Sequence, residues 1–123
     1  MLTSSYSLKQ FSSVLEGEST LSRTVFVTRH SGVRDWAARH GYGGAESIQH
    51  LDEETLRRLR PGDRVLGSLP VTLIADVCSR GARYFHFMID APSDARGRDL
   101  SADEMESFDA RLQEFTAKRV PEN

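Results

Sequence analysis

From Thr24 onward, short apolar runs rich in β-branched and aromatic residues alternate with stretches whose apolar residues recur at helical spacing. Strands that alternate with helices imply a parallel or mostly parallel sheet with helices on both faces. A chain of 123 residues is one ordinary domain with enough length to bury a core. The expected fold is therefore a single α/β domain of the Rossmann-like kind.

The first strand is predicted over Thr24 to Thr28, followed by a helix from Gly32 to His40 that Gly41 stops. A short second strand fits Ser47 to Leu51, and Asp52 can cap a turn of helix carrying Leu56 and Leu59. After Pro61-Gly62 a third strand runs from Asp63 to Gly67. Pro70 then opens a helix with Val71, Ile74, Ala75 and Cys78 as its buried stripe. The fourth strand, Arg83 to Asp90, is a nearly continuous apolar run, as expected for a strand covered on both faces. A polar loop with Arg96-Gly97-Arg98 leads to a last helix, which Ser101 and Glu104 open as a capping box. Met105, Phe108, Leu112 and Phe115 are read as that helix's apolar stripe, a face that can also serve as a dimer seam. Residues 1–22 are serine-rich and stand apart, as a frayed terminus or a short docking helix, and the domain proper is expected over residues 23–120.

A formal net charge of −2 argues against a general nucleic-acid coat or an acidic-membrane binder. Only Lys9 and Lys118 of the 16 basic residues are lysine, and arginine is the better fork for phosphate. The single cysteine excludes an internal disulfide and a cysteine-cluster metal site. No stretch approaches a membrane span and the N-terminus lacks the apolar core of a signal peptide, so a cytoplasmic location is expected.

Two strand-to-helix corners carry chemistry. Thr28-Arg29-His30-Ser31-Gly32 offers hydroxyls, a guanidinium, an imidazole and a flexible backbone, a set suited to phosphate. Gly67-Ser68-Leu69-Pro70 offers a close backbone approach and the free N–H groups of a helix start. If these strands are neighbours across a switch point, both corners face one crevice. Each corner also has a purely structural account: Arg29 can pair with Asp35, and Ser68 can cap a helix. The Arg96-Gly97-Arg98 loop can reach over a polyanion, but the favoured reading is a solvated connection whose arginines pair with Asp94 or Asp99. His50, Asp52, His86 and Asp90 have no recognised ligand spacing, so no metal is expected, and His86 is read as a hydrogen-bonded core histidine. The Arg-His corner is similar to the nucleophile motif of histidine phosphatases, but Ser31 follows His30 and His86 lies inside a strand, so that match fails on context.

Phe26-Val27-Thr28-Arg29-His30, His50-Leu51-Asp52, the run from Gly62 to Val71, the run from Ala75 to Tyr84, and Arg96 to Ala102 together resemble a family of small single-domain CRISPR-associated proteins of type III systems. The resemblance spans about Thr24 to Phe115. It implies a domain related to the CARF fold, which binds cyclic oligoadenylate second messengers at a homodimer interface. It further implies a ring nuclease that linearises such a messenger, cyclic tetra-adenylate first, or alternatively a sponge or sensor that binds it without cutting. The expected reaction needs no cofactor: a 2′-hydroxyl attacks the adjacent phosphate in line, leaving a 2′,3′-cyclic phosphate. In that reading Arg29 stabilises charge, His30 shuttles a proton, Ser68 holds phosphate together with Gly67, Leu69 and Pro70, and Thr28, Ser31 and Gly32 orient the ligand.

Overall fold

The computed structural model describes residues 22–122; the N-terminal segment singled out above lies, apart from Ser22, outside them. Five strands alternate with helices through most of the chain: β1 Thr24–Val27, α1 Ser31–Arg39, β2 Glu46–Ile48, α2 Glu53–Arg58, β3 Arg64–Gly67, α3 Val71–Ser79, β4 Arg83–Met88, α4 Ala102–Ser107 and β5 Arg111–Phe115. They form one sheet of order β2-β1-β3-β4-β5. The β2–β1, β1–β3 and β3–β4 pairs are parallel, and β5 runs antiparallel to β4. The expected α/β architecture, mostly parallel with helices on both faces, is what the chain adopts.

Strand alternation sends residues to two cores. Phe26, Leu66, Phe85, Phe87 and Leu112 face one side, where Val33, Trp36 and Ala37 of α1 and Ala102 and Met105 of α4 cover them. Val27, Val65 and Tyr84 face the other, under Leu56 of α2, Ile74 and Val77 of α3, and the flanking Leu51 and Leu59. At the amino end of the sheet the buried Asp63 carboxylate accepts N–H bonds from Arg23 at 3.0 Å and Arg60 at 2.9 Å, tying the starts of β1 and β3 together.

Two expectations are corrected. The last helix ends at Ser107 rather than continuing to Phe115, and the segment carrying Leu112 and Phe115 is strand β5. The apolar positions at 105, 108, 112 and 115 fit a helix, but an unpaired β4 edge would leave a row of N–H and C=O groups without partners. The chain reverses at Asp109, whose φ of 59 is a conformation aspartate tolerates, and β5 covers that edge. A two-bond ion pair, Arg83 to Glu114 at 2.9 Å for each bond, sits beside this pairing. The pair holds the Glu114 carboxyl below its ordinary range and raises the Arg83 guanidinium. The second correction is Val71, 67 % exposed rather than buried. It is the first residue of α3, at the overhang beyond the strand end, and Val77 takes the inward place instead.

Candidate functional site

The chain leaves β1 to form β2 on one side and then returns to place β3 on the other. In this strand order the crevice between β1 and β3 is the switch point, where the connections depart to opposite faces of the sheet. Val27 pairs with Gly67, so the two corners picked out in the sequence leave the sheet side by side. Both open into one cavity of about 590 Å³, within the range of small-molecule sites. Gly67 is needed for the approach: a Cβ there would lie 2.9 Å from the Val27 carbonyl oxygen.

Of the residues expected at the site, Thr28, Arg29, His30, Gly67, Ser68, Leu69 and Pro70 line the cavity. Ser31 and Gly32 do not. Gly32 is buried beneath the loop before α4, where a Cβ would lie 2.0 Å from the Leu100 carbonyl oxygen, so this glycine serves packing. Thr28 Oγ1 accepts the His30 N–H at 3.1 Å and so shapes the corner itself. The Leu69 N–H, expected to hold phosphate, donates instead to the Tyr84 hydroxyl at 2.9 Å. Ser68 Oγ donates to the Phe87 carbonyl at 3.2 Å, which leaves its lone pairs exposed and requires a rotation before it can donate to a ligand.

Charge is distributed in a way the sequence did not disclose. Arg29, His30, His50 and Arg98 line the cavity, and among the described residues no aspartate or glutamate does, in a chain with 18 acidic residues. Arg29 makes no ion pair or hydrogen bond through its side chain among the described residues, and the alternative pairing with Asp35 is absent. Arg98 pairs with Glu104 at 2.9 Å rather than with Asp94 or Asp99. Asp99 instead approaches His30, Oδ1 to Nδ1 at 3.0 Å. A carboxylate at Nδ1 favours the tautomer with the proton there and leaves Nε2 as the ring's acceptor.

The helix starts divide in the same way. Asp52 caps α2 through the Thr55 N–H at 2.8 Å, and Ser101 with Glu104 forms the predicted capping box of α4. Both helices carry acidic residues in their first turn. By contrast α1 and α3 have no side-chain cap and no acid in the first turn, and their N-cap residues, His30 and Pro70, line the cavity. The amides of Ser31, Gly32, Val71 and Thr72 make no hydrogen bond among the described residues. Through His30 and Pro70 the positive ends of two helix dipoles face the crevice where the sheet's connections diverge, an arrangement that favours an anion.

Sequence reasoning offered the 96–98 loop as one that reaches over a polyanion, and Arg98 does line the cavity, but it missed Asp99 as a partner of His30. His30 and Asp99 are 69 positions apart, and no local pattern signals that the 96–99 loop folds back over the β1 corner. His86 behaves as expected, half-buried with Nδ1 2.6 Å from the Tyr84 hydroxyl. Among the described residues no three metal-binding side chains cluster, and no helix is long and apolar enough to cross a membrane.

The fold and cavity define a doubly wound α/β protein with a crevice at its switch point lined by Arg29, His30, His50 and Arg98. The family model described as "Putative CRISPR-associated protein (Cas_VVA1548)" matches residues 25–118, and the chain belongs to this CRISPR-associated family. No curated protein and no solved structure matches it.

Proposed function

We propose that this protein binds a cyclic oligoadenylate messenger, cyclic tetra-adenylate first, in the β1/β3 crevice and linearises it as a ring nuclease of type III CRISPR signalling. The carrying observation is the convergence of Arg29, Arg98, His30 and two uncapped helix starts on a cavity that no carboxylate lines among the described residues, with Asp99 behind His30 at its Nδ1. Membership in a CRISPR-associated family supports the same reading. A ring of four nucleotides is larger than one cavity of this size, and a homodimer related by a twofold axis would offer it two such sites.

In the proposed reaction the 2′-hydroxyl of one nucleotide forms a bond to the adjacent phosphorus as the bond to the 5′-oxygen breaks. The neutral His30 Nε2 accepts the hydroxyl proton, and Asp99 at Nδ1 stabilises the imidazolium that results. Solvent protonates the departing 5′-oxygen. Arg29 and Arg98 balance the charge that builds on the non-bridging phosphate oxygens, and the first-turn amides of α1 and α3 fix neighbouring phosphates. The products are a 2′,3′-cyclic phosphate and a 5′-hydroxyl.

The test is incubation with cyclic tetra-adenylate in excess chelator, followed by chromatographic separation. Linear product ending in a 2′,3′-cyclic phosphate is expected. An intact ring after long incubation with stoichiometric protein refutes cleavage; tight binding with that result assigns the protein as a messenger sponge or sensor. Loss of cleavage on chelation alone refutes the metal-free step.

A further inference from the structure

We infer that the Tyr84 hydroxyl, oriented by His86, is a positioning group that clamps Ser68 and the start of α3 in the form the phosphate site uses. The inference rests on the reading of the crevice as a phosphate site, and its two acting residues, Tyr84 and His86, do not line the cavity. Tyr84 is fully buried, at 0 % exposure, on the face of β4 beneath α3. Its hydroxyl reaches across the strand end to both peptide groups that flank Ser68. The Gly67 carbonyl lies at 3.0 Å and the Leu69 N–H at 2.9 Å. One side chain therefore closes a hydrogen-bonded bridge over the residue at the corner. The third partner, His86 Nδ1 at 2.6 Å, sits two residues along the same strand and on the same face.

One placement of protons satisfies every bond at once. A phenol has one proton to donate and two lone pairs. Leu69 can only donate and the Gly67 carbonyl can only accept, so the single Tyr84 proton goes to Gly67. The remaining lone pair then requires a proton from His86, which places the imidazole proton on Nδ1. Burial pushes the Tyr84 phenol up, which keeps that proton in place. All three partners are satisfied in this one arrangement, as a buried polar network demands. The geometry has a direct consequence for the site. Leu69 is held back from the ligand, and the first free amides of α3 are those of Val71 and Thr72, whose direction the clamp sets through the Gly67–Pro70 segment.

The experiment uses the full-length protein, labelled for nuclear magnetic resonance, with Tyr84→Phe and with Val77→Ala as a control buried at the far end of α3. Wild type should show His86 with its proton on Nδ1 and a protected Leu69 amide, and Tyr84→Phe should accelerate Leu69 exchange while Val65 in β3 stays protected. Cyclic tetra-adenylate should bind about tenfold more weakly to Tyr84→Phe, the scale of one lost hydrogen bond. Val77→Ala should lose comparable thermal stability and retain affinity within about twofold. His86→Asn, which keeps a donor near Nδ1, should retain affinity that His86→Leu loses, and this pair carries the test if Tyr84→Phe does not fold. A proton found only on Nε2 of His86 overturns the assignment, as does Tyr84→Phe binding no worse than Val77→Ala. If wild type does not bind the ring, the functional reading fails. The clamp then stands or falls on Leu69 exchange in Tyr84→Phe: acceleration supports it and unchanged exchange overturns it.

Discussion

Gly32→Ala sets two effects of opposite sign against each other. Gly32 is the second residue of α1, and in an open helix alanine is favoured over glycine by about 1 kcal/mol. A reading from helix propensity alone therefore expects stabilisation. The tertiary structure expects the reverse, because the new methyl would lie 2.0 Å from the Leu100 carbonyl oxygen and 3.1 Å from its carbon. The obstacle is backbone, which cannot rotate aside as a side chain can. Overpacking costs about 1–3 kcal/mol, and a contact this short belongs at the upper end. Roughly 3 kcal/mol of strain against about 1 kcal/mol of gain leaves a loss of about 2 kcal/mol. For a domain of this size, at about 4 °C per kcal/mol, the melting temperature should fall by roughly 8 °C. Thermal unfolding followed by circular dichroism measures it. The loop that must yield carries Arg98 and Asp99 into the site, so ring binding should weaken as well. A melting temperature equal to or above wild type would refute the packing argument, whatever the binding result.

Arg29→Ala removes an exposed guanidinium without a partner among the described residues, so stability should stay within about 0.5 kcal/mol while affinity for cyclic tetra-adenylate falls about tenfold or more. Equal losses in melting temperature and binding would make that side chain structural. In single-turnover cleavage, His30→Ala should slow the reaction about 100-fold and Asp99→Asn about tenfold, with melting temperatures nearly unchanged because the pair is exposed. Asp99→Asn with the wild-type rate would remove Asp99 from the mechanism. Glu114 is held below its ordinary value of 4.5, first by the Arg83 hydrogen bonds, so its contribution is present above that value and is lost as pH falls through the lower folded value. Glu114→Gln should flatten the stability profile below about pH 4.5 by well under 1 kcal/mol, since the pair is partly exposed to solvent. An unchanged acid limb would show that the ion pair does not couple to folding.

Local chemistry determined most of the elements. Short apolar runs, Asp52 and Ser101 as caps, and Pro61-Gly62 as a stop each act within a few residues, so the first four strands and all four helix starts were legible to within a few positions. Both phosphate-suited corners were legible for the same reason, because the residue types sit next to one another in the chain. What lay beyond local reading was every feature that depends on a distant partner. Residues 108–115 suit a helix in isolation, and only the open edge of β4 makes Arg111–Phe115 a strand. Gly32 reads as flexibility until Leu100 is found above it.

The site divides along the same line. The sequence by itself determined that the two corners, at Thr28–Gly32 and Gly67–Pro70, carry groups fit for an anion, because backbone conformation and side-chain type are properties of a short segment. The tertiary structure decided that the corners are neighbours, because the order of strands depends on which faces the crossover helices cover. It also brought Arg98 and Asp99 over the first corner and drew the Leu69 amide away to Tyr84. Those contacts form only after both cores close and place residues tens of positions apart within hydrogen-bonding distance.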